Sequence, residues 1–161
     1  MSVDIDRQVA VEAEAASALP TQVELETWVA AVLANDNDSR TELTIRFVER
    51  DESQQLNRDY RHKDKPTNVL SFPFETPPGI ELPLLGDLVI CHDVVASEAR
   101  EQRKSIGNHY AHLVIHGCLH LLGYDHIDDQ DAERMEALER ALLDQFGIQD
   151  PYRVIDPESD A

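Results

Sequence analysis

Three histidines in one short stretch, His116, His120 and His126, have the type and spacing that a transition metal needs. They stand in the run His116-Gly117-Cys118-Leu119-His120-Leu121-Leu122-Gly123-Tyr124-Asp125-His126. On an α-helix, residues four apart lie on one face, about 6 Å apart along the axis. The imidazoles of His116 and His120 can therefore reach a single ion from the same side. Gly123 can take the left-handed conformation that ends a helix, after which the chain can turn back and offer His126. Three neutral imidazoles with an open fourth position describe a catalytic zinc rather than a closed structural one. Nickel or another divalent ion would accept the same donors. His109 and His112 share the face, but His112 and His120 are about 12 Å apart along the axis. His112 is therefore expected to support or pack beside the ligands.

The elements that must position this stretch follow from periodicity. Ser105 with Asn108 starts the helix that bears the motif, which ends near Leu122. Leu113, Val114, Ile115, Leu119, Leu121 and Leu122 make it apolar on most sides, so it should run through the centre of the domain. Residues 3–11 alternate weakly and predict a first strand, and residues 12–18 read as a polar connector. Thr21 with Glu24 has the capping-box pattern, opening a helix whose core face carries Leu25, Trp28, Val29, Val32 and Leu33. Residues 42–49 alternate as a strand. Asp51 with Gln54 can cap a short helix that turns Leu56 and Tyr60 toward the core and delivers Arg61-His62-Lys63-Asp64-Lys65-Pro66 into a loop. Residues 68–74 predict an edge strand, since Pro73 suits an edge or a strand end. After a proline-rich loop, Gly86-Asp87 leads into the apolar run Leu88-Val89-Ile90-Cys91, a central strand. Residues 93–103 read as a helix with Val94, Val95 and Ala99 inward. Asp128, Asp129 and Asp131 precede a last helix built on Met135, Leu138, Ala141, Leu142 and Phe146. Residues 150–161 are expected to be a frayed tail. The fold class is α+β: a small mixed sheet of four strands with about five helices, in a single domain over residues 1–161.

Composition narrows the function classes. No run approaches the roughly 20 apolar residues of a membrane span, and the acidic first residues lack a secretory h-region, so a cytoplasmic location is expected. Cys91 and Cys118 do not make a disulfide framework and are expected as small core residues. The formal charge of −18 opposes non-specific binding to nucleic acid or anionic membranes. Half of the fourteen Lys and Arg residues nevertheless fall in two clusters: Arg58, Arg61, Lys63 and Lys65, then Arg100, Arg103 and Lys104.

The histidine spacing is also that of the metzincin proteases, which carry Glu directly after the first histidine; here that position is Gly117. The carboxylate that acts as general base in those enzymes is absent, which makes peptide hydrolysis the less natural inference. A more specific resemblance covers about residues 40–150. The run from His116 to His126 resembles the signature H-G-x-L-H-L-x-G-Y-D-H of the bacterial YbeY family. The blocks Leu56–Phe74 and Gly86–Ile90 resemble two others of that family, in the right order. The resemblance implies a zinc-dependent, single-strand-specific endoribonuclease acting in rRNA maturation, at the 16S 3′ end, and in ribosome quality control. It implies His116, His120 and His126 as metal ligands and Arg61 as the functional arginine. A guanidinium suits that role because it can pair two phosphodiester oxygens. Lys63, Lys65, Arg100, Arg103 and Lys104 are candidates for steering RNA phosphates. The implied partners are rRNA or ribosomal particles, with ribosomal or ribosome-associated proteins supplying affinity that so acidic a chain lacks; no membrane or DNA partner is expected. The alternatives are another zinc hydrolase, such as a metzincin-like peptidase, and a non-catalytic ribosome-assembly factor with a structural metal.

Overall fold

The computed structural model describes residues 3–36, 38–125 and 128–151. Four strands form one mixed sheet: β1 (Asp4–Ala10), β2 (Glu42–Val48), β3 (Val69–Pro73) and β4 (Leu84–Cys91), in the order β1-β2-β4-β3. β1, β2 and β4 are parallel, while β3 runs antiparallel to β4 at the edge. The helices are α1 (Ala13–Ala16), α2 (Gln22–Asp36), α3 (Arg50–Arg61), α4 (His92–Glu101), α5 (Ile106–Leu121) and α6 (Asp129–Asp144). This is the expected α+β arrangement with one helix more than anticipated, because the polar connector contains the single turn α1. No helix among the described residues is long and apolar enough to cross a membrane.

Alternation along the strands sorts the two faces. Leu43, Ile45, Phe47, Leu88 and Ile90 point to the side where α2 and α5 build the main core. Val48, Leu70, Val89 and Cys91 point to the other side, beneath Leu56 of α3 and Val94 of α4. The motif helix α5 packs against α2, α4, α6, β3 and β4, and is central. Both cysteines are buried, and burial pushes the Cys118 thiol up to about 12, so it stays protonated.

Two glycines let α5 lie against the sheet. A Cβ at Gly117 would stand 2.7 Å from Leu88 Cδ2, so an alanine there must push the buried Leu88 side chain aside. Gly86 sits within β4 at φ +147°, and its Cβ would fall 2.4 Å from the Phe72 carbonyl oxygen and 2.9 Å from Leu121 Cδ2. β4 therefore begins two residues before the Gly86-Asp87 expected to precede it.

Other local expectations resolve similarly. The Thr21–Glu24 capping box forms, with reciprocal bonds of 3.0 and 3.2 Å. Ser105 Oγ accepts from the Asn108 N–H at 3.1 Å and starts α5. The α3 cap is corrected: its N-cap is Glu49, without a side-chain bond. Tyr60 is also corrected, being 60% exposed rather than inward. The buried face of α3 is polar instead. Ser53 Oγ donates to the Thr67 carbonyl at 3.0 Å, and Asn57 Nδ2 donates to the Lys65 carbonyl at 2.9 Å. These bonds satisfy backbone acceptors in the loop after the helix. Ala141 is exposed, and Glu139 takes the inward place.

Candidate metal centre

His116 and His120 project from adjacent turns of α5, and both are partly accessible. Their Nε2 atoms converge at 3.1 Å, with rings 82° apart. The other nitrogen of each ring is held. His120 Nδ1 lies 3.0 Å from the Tyr124 carbonyl oxygen. Because a carbonyl only accepts, that nitrogen carries the proton and Nε2 presents its lone pair. His116 Nδ1 contacts the Glu139 carboxylate, which fixes the same tautomer.

In those tautomers two lone pairs face each other at 3.1 Å, an arrangement that a cation between them, a proton or a metal ion, stabilises. Two imidazole nitrogens on one tetrahedral zinc, with bonds of about 2.0–2.1 Å, stand about 3.3 Å apart. The observed pair fits that geometry. His126, the expected third ligand, lies outside the described residues.

Glu139 joins this centre without having been singled out from the sequence. It is fully buried on α6, with one oxygen on His116 Nδ1 and the other 3.6 Å from His112 Nε2. A carboxylate with no access to water needs a cationic partner or strong donors. Positive charge on the far side of the His116 ring would supply this through the imidazole, as in carboxylate–histidine–metal arrangements. The signal was present in the sequence: Glu139 stands four residues after Met135 and three before Leu142, on the apolar stripe of α6.

His112, His116 and Glu139 also form a group whose ligand atoms lie within 4.8 Å of one another. An ion inside that group would displace Glu139 from His116 Nδ1 and would sit behind a fully buried carboxylate, away from substrate. The outer pair of Nε2 atoms is the better fit. Burial holds the His112 pKa below the ordinary histidine value, against the pull of Glu139, so His112 is neutral at pH 7. Replacing Glu139 with Gln is expected to weaken metal affinity about 10–100-fold, as loss of such a supporting carboxylate does. A chelator-competition titration measures it; complete loss of binding would instead make Glu139 a direct ligand.

Arg61 ends α3, where His62 takes a left-handed cap at φ 60°. Its guanidinium donates from Nη2 to the Ser71 carbonyl at 2.7 Å and lies 5.4 Å from the Phe72 ring centroid. The Ser71 hydroxyl in turn donates to the Gly117 carbonyl at 3.4 Å. Arg61 is thus tied through one strand residue to the helix turn bearing His116. It is exposed, and no carboxylate pairs with it among the described residues.

The other cations are distributed differently. Lys63 and Lys65 are exposed in the loop after α3, and Arg100 and Arg103 are exposed around the end of α4. Lys104 turns inward. Burial lowers its pKa while Glu98 opposes that shift, and it lines a cavity of about 510 Å³ with Asn68, Glu98, Arg103, His109 and His112. Burial also works against the Glu98 carboxylate, but bonds from His109 and Asn68 outweigh it and hold its pKa below the ordinary value.

The sequence profile of the family described as "Endoribonuclease YbeY" matches residues 9–147. A protein of Chromohalobacter salexigens named "Endoribonuclease YbeY" is 69% identical over 153 residues, spanning 94% of this chain and 99% of that protein. Among solved structures, the solution structure of TM1509 from Thermotoga maritima superposes with a TM-score of 0.54 at 25% identity, covering 94% of this chain and 97% of the other.

Proposed function

The chain belongs to the endoribonuclease YbeY family, and from that premise we propose that it is a metal-dependent endoribonuclease that cuts single-stranded RNA during rRNA processing. The observation that carries the metal is the pair of tautomer-fixed Nε2 atoms of His116 and His120, 3.1 Å apart. His116 and His120 would hold the ion, with His126 as the third ligand by its place in the motif; zinc suits these donors best. When bound, such an ion polarises a phosphoryl oxygen and brings the pKa of a coordinated water toward about 7.

The remaining work falls to the chain's own side chains. Glu139 keeps the His116 proton on Nδ1 and the ring in place, and the Tyr124 carbonyl does the same for His120. Arg61, braced on the Ser71 carbonyl and the Phe72 face, directs its remaining N–H groups at a phosphodiester. Charge that develops on the non-bridging oxygens during attack at phosphorus is stabilised there. Lys63, Lys65, Arg100 and Arg103 steer flanking phosphates, with Lys104 at the border of the adjoining cavity.

The reading extends to trimming of the 16S 3′ end and to ribosome quality control. A net charge of −18 makes a ribosomal particle or a basic ribosomal protein part of the productive complex. Tight binding of free rRNA at physiological salt, with no partner present, would overturn that dependence.

The function is tested by cleavage of single-stranded RNA by purified protein. Arg61→Ala is expected to lower kcat by about 10²–10³, the usual effect of removing one transition-state donor. Undiminished cleavage by both Arg61→Ala and His116→Ala would refute the assigned site.

A further inference from the structure

Resting on the single-stranded RNA reading above, we propose that Tyr60 and Phe72 form a stacking step for one nucleobase, beside the phosphate held by Arg61. Tyr60 is a large aromatic side chain left 60% exposed on the last turn of α3. Its ring meets Phe72 at 71° with centroids 5.2 Å apart. A tilted contact of that kind does not cover the flat of both rings, and the exposure of Tyr60 leaves area for a planar partner.

The surroundings select a base over a phosphate. A cavity of about 540 Å³ opens beside the pair, lined by Gln8, Thr44, Glu52 and Asp87 as well as the two aromatic residues. That volume accommodates a nucleoside. Asp87 opposes a phosphate there, and with the Thr44 hydroxyl it offers partners to exocyclic amino groups and ring nitrogens. Arg46 does not neutralise a ligand there, because its guanidinium is held by Glu52 at 2.7 and 3.0 Å. The phosphate is left to Arg61, the next residue in the chain after Tyr60, which reaches over Phe72 to the edge of β3. Base and phosphate sites therefore adjoin as they do along a single strand, and a duplex, whose bases are already stacked, could not use the step.

The test is the cleavage kinetics of a short single-stranded oligoribonucleotide by the metal-loaded full-length protein. Tyr60→Ala is expected to raise KM about five- to hundredfold, the range that loss of one base–aromatic stack produces, with kcat within about twofold because stacking acts equally on ground and transition states. Tyr60→Phe, which keeps the ring, is expected to match wild type. Wild type should suffer the same KM loss on an oligonucleotide abasic at one position, and Tyr60→Ala should suffer no further loss there. Unchanged KM in Tyr60→Ala, a Tyr60→Phe variant as poor as Tyr60→Ala, or losses that multiply would each overturn the stacking step. If the Tyr60 variants are normal while Arg61→Ala and His116→Ala are impaired, stacking alone fails. If wild type cuts no RNA, the parent reading fails with it.

Discussion

His120→Ala is expected to yield a folded protein that no longer retains its metal and whose RNA cleavage falls to background. The lost side chain takes with it one of the two Nε2 atoms that define the centre. It also removes the bond to the Tyr124 carbonyl, which by itself is worth about 1 kcal/mol, or some 2–4 °C of melting temperature in a chain of this size. Metal content measured on the purified variant, beside its thermal midpoint, separates loss of the ion from loss of the fold. The same measurement decides between the two ligand groups. If the ion lay among His112, His116 and Glu139, His120→Ala would keep it and His112→Ala would lose it. The outer arrangement predicts the reverse.

Gly86→Ala is expected to cost on the order of 3–5 kcal/mol, combining backbone strain at a positive φ with overpacking in a sealed interior. The added methyl would fall 2.4 Å from a backbone oxygen of β3 and 2.9 Å from Leu121 on α5, so sheet and helix must both give way. A fall in thermal midpoint of about 10 °C or more should follow. Gly79 provides the control: it also has a positive φ, at +81°, but a methyl there meets nothing within 4 Å. Gly79→Ala should therefore cost only the local backbone strain, about 1 kcal/mol. Equal shifts for the two variants would show that the close approach of strand and helix is not what the glycine serves.

The elements were legible where one physical rule governed a local stretch. Alternation in β2, reciprocal capping at Thr21 and Glu24, and the Ser105 cap of α5 depend on neighbours a few residues away. The i, i+4 histidine pair was legible for the same reason. Apolar spacing points Tyr60 of α3 inward, whereas the structure leaves it exposed. In fact Ser53 and Asn57 are inward to serve the carbonyls of Thr67 and Lys65, a demand made by a loop rather than by the helix. Glu139 was passed over because a carboxylate in a charged helix reads as solvated. Its burial is dictated by His116, 23 residues earlier, and no local pattern carries that information.

The tight seat of Gly117 on Leu88 bears on what this scaffold could become. In the protease arrangement, the position after the first histidine bears a glutamate aimed at the reacting water. Here that position faces the sheet with no space for even one carbon. Mutation of Gly117 to Glu would have to displace the buried Leu88 side chain before its carboxylate could serve any chemistry. The shared histidine spacing thus does not make a short evolutionary path, or a simple engineering route, from this centre to a peptidase. On this scaffold the Leu88 side chain occupies the place where the protease's base would begin.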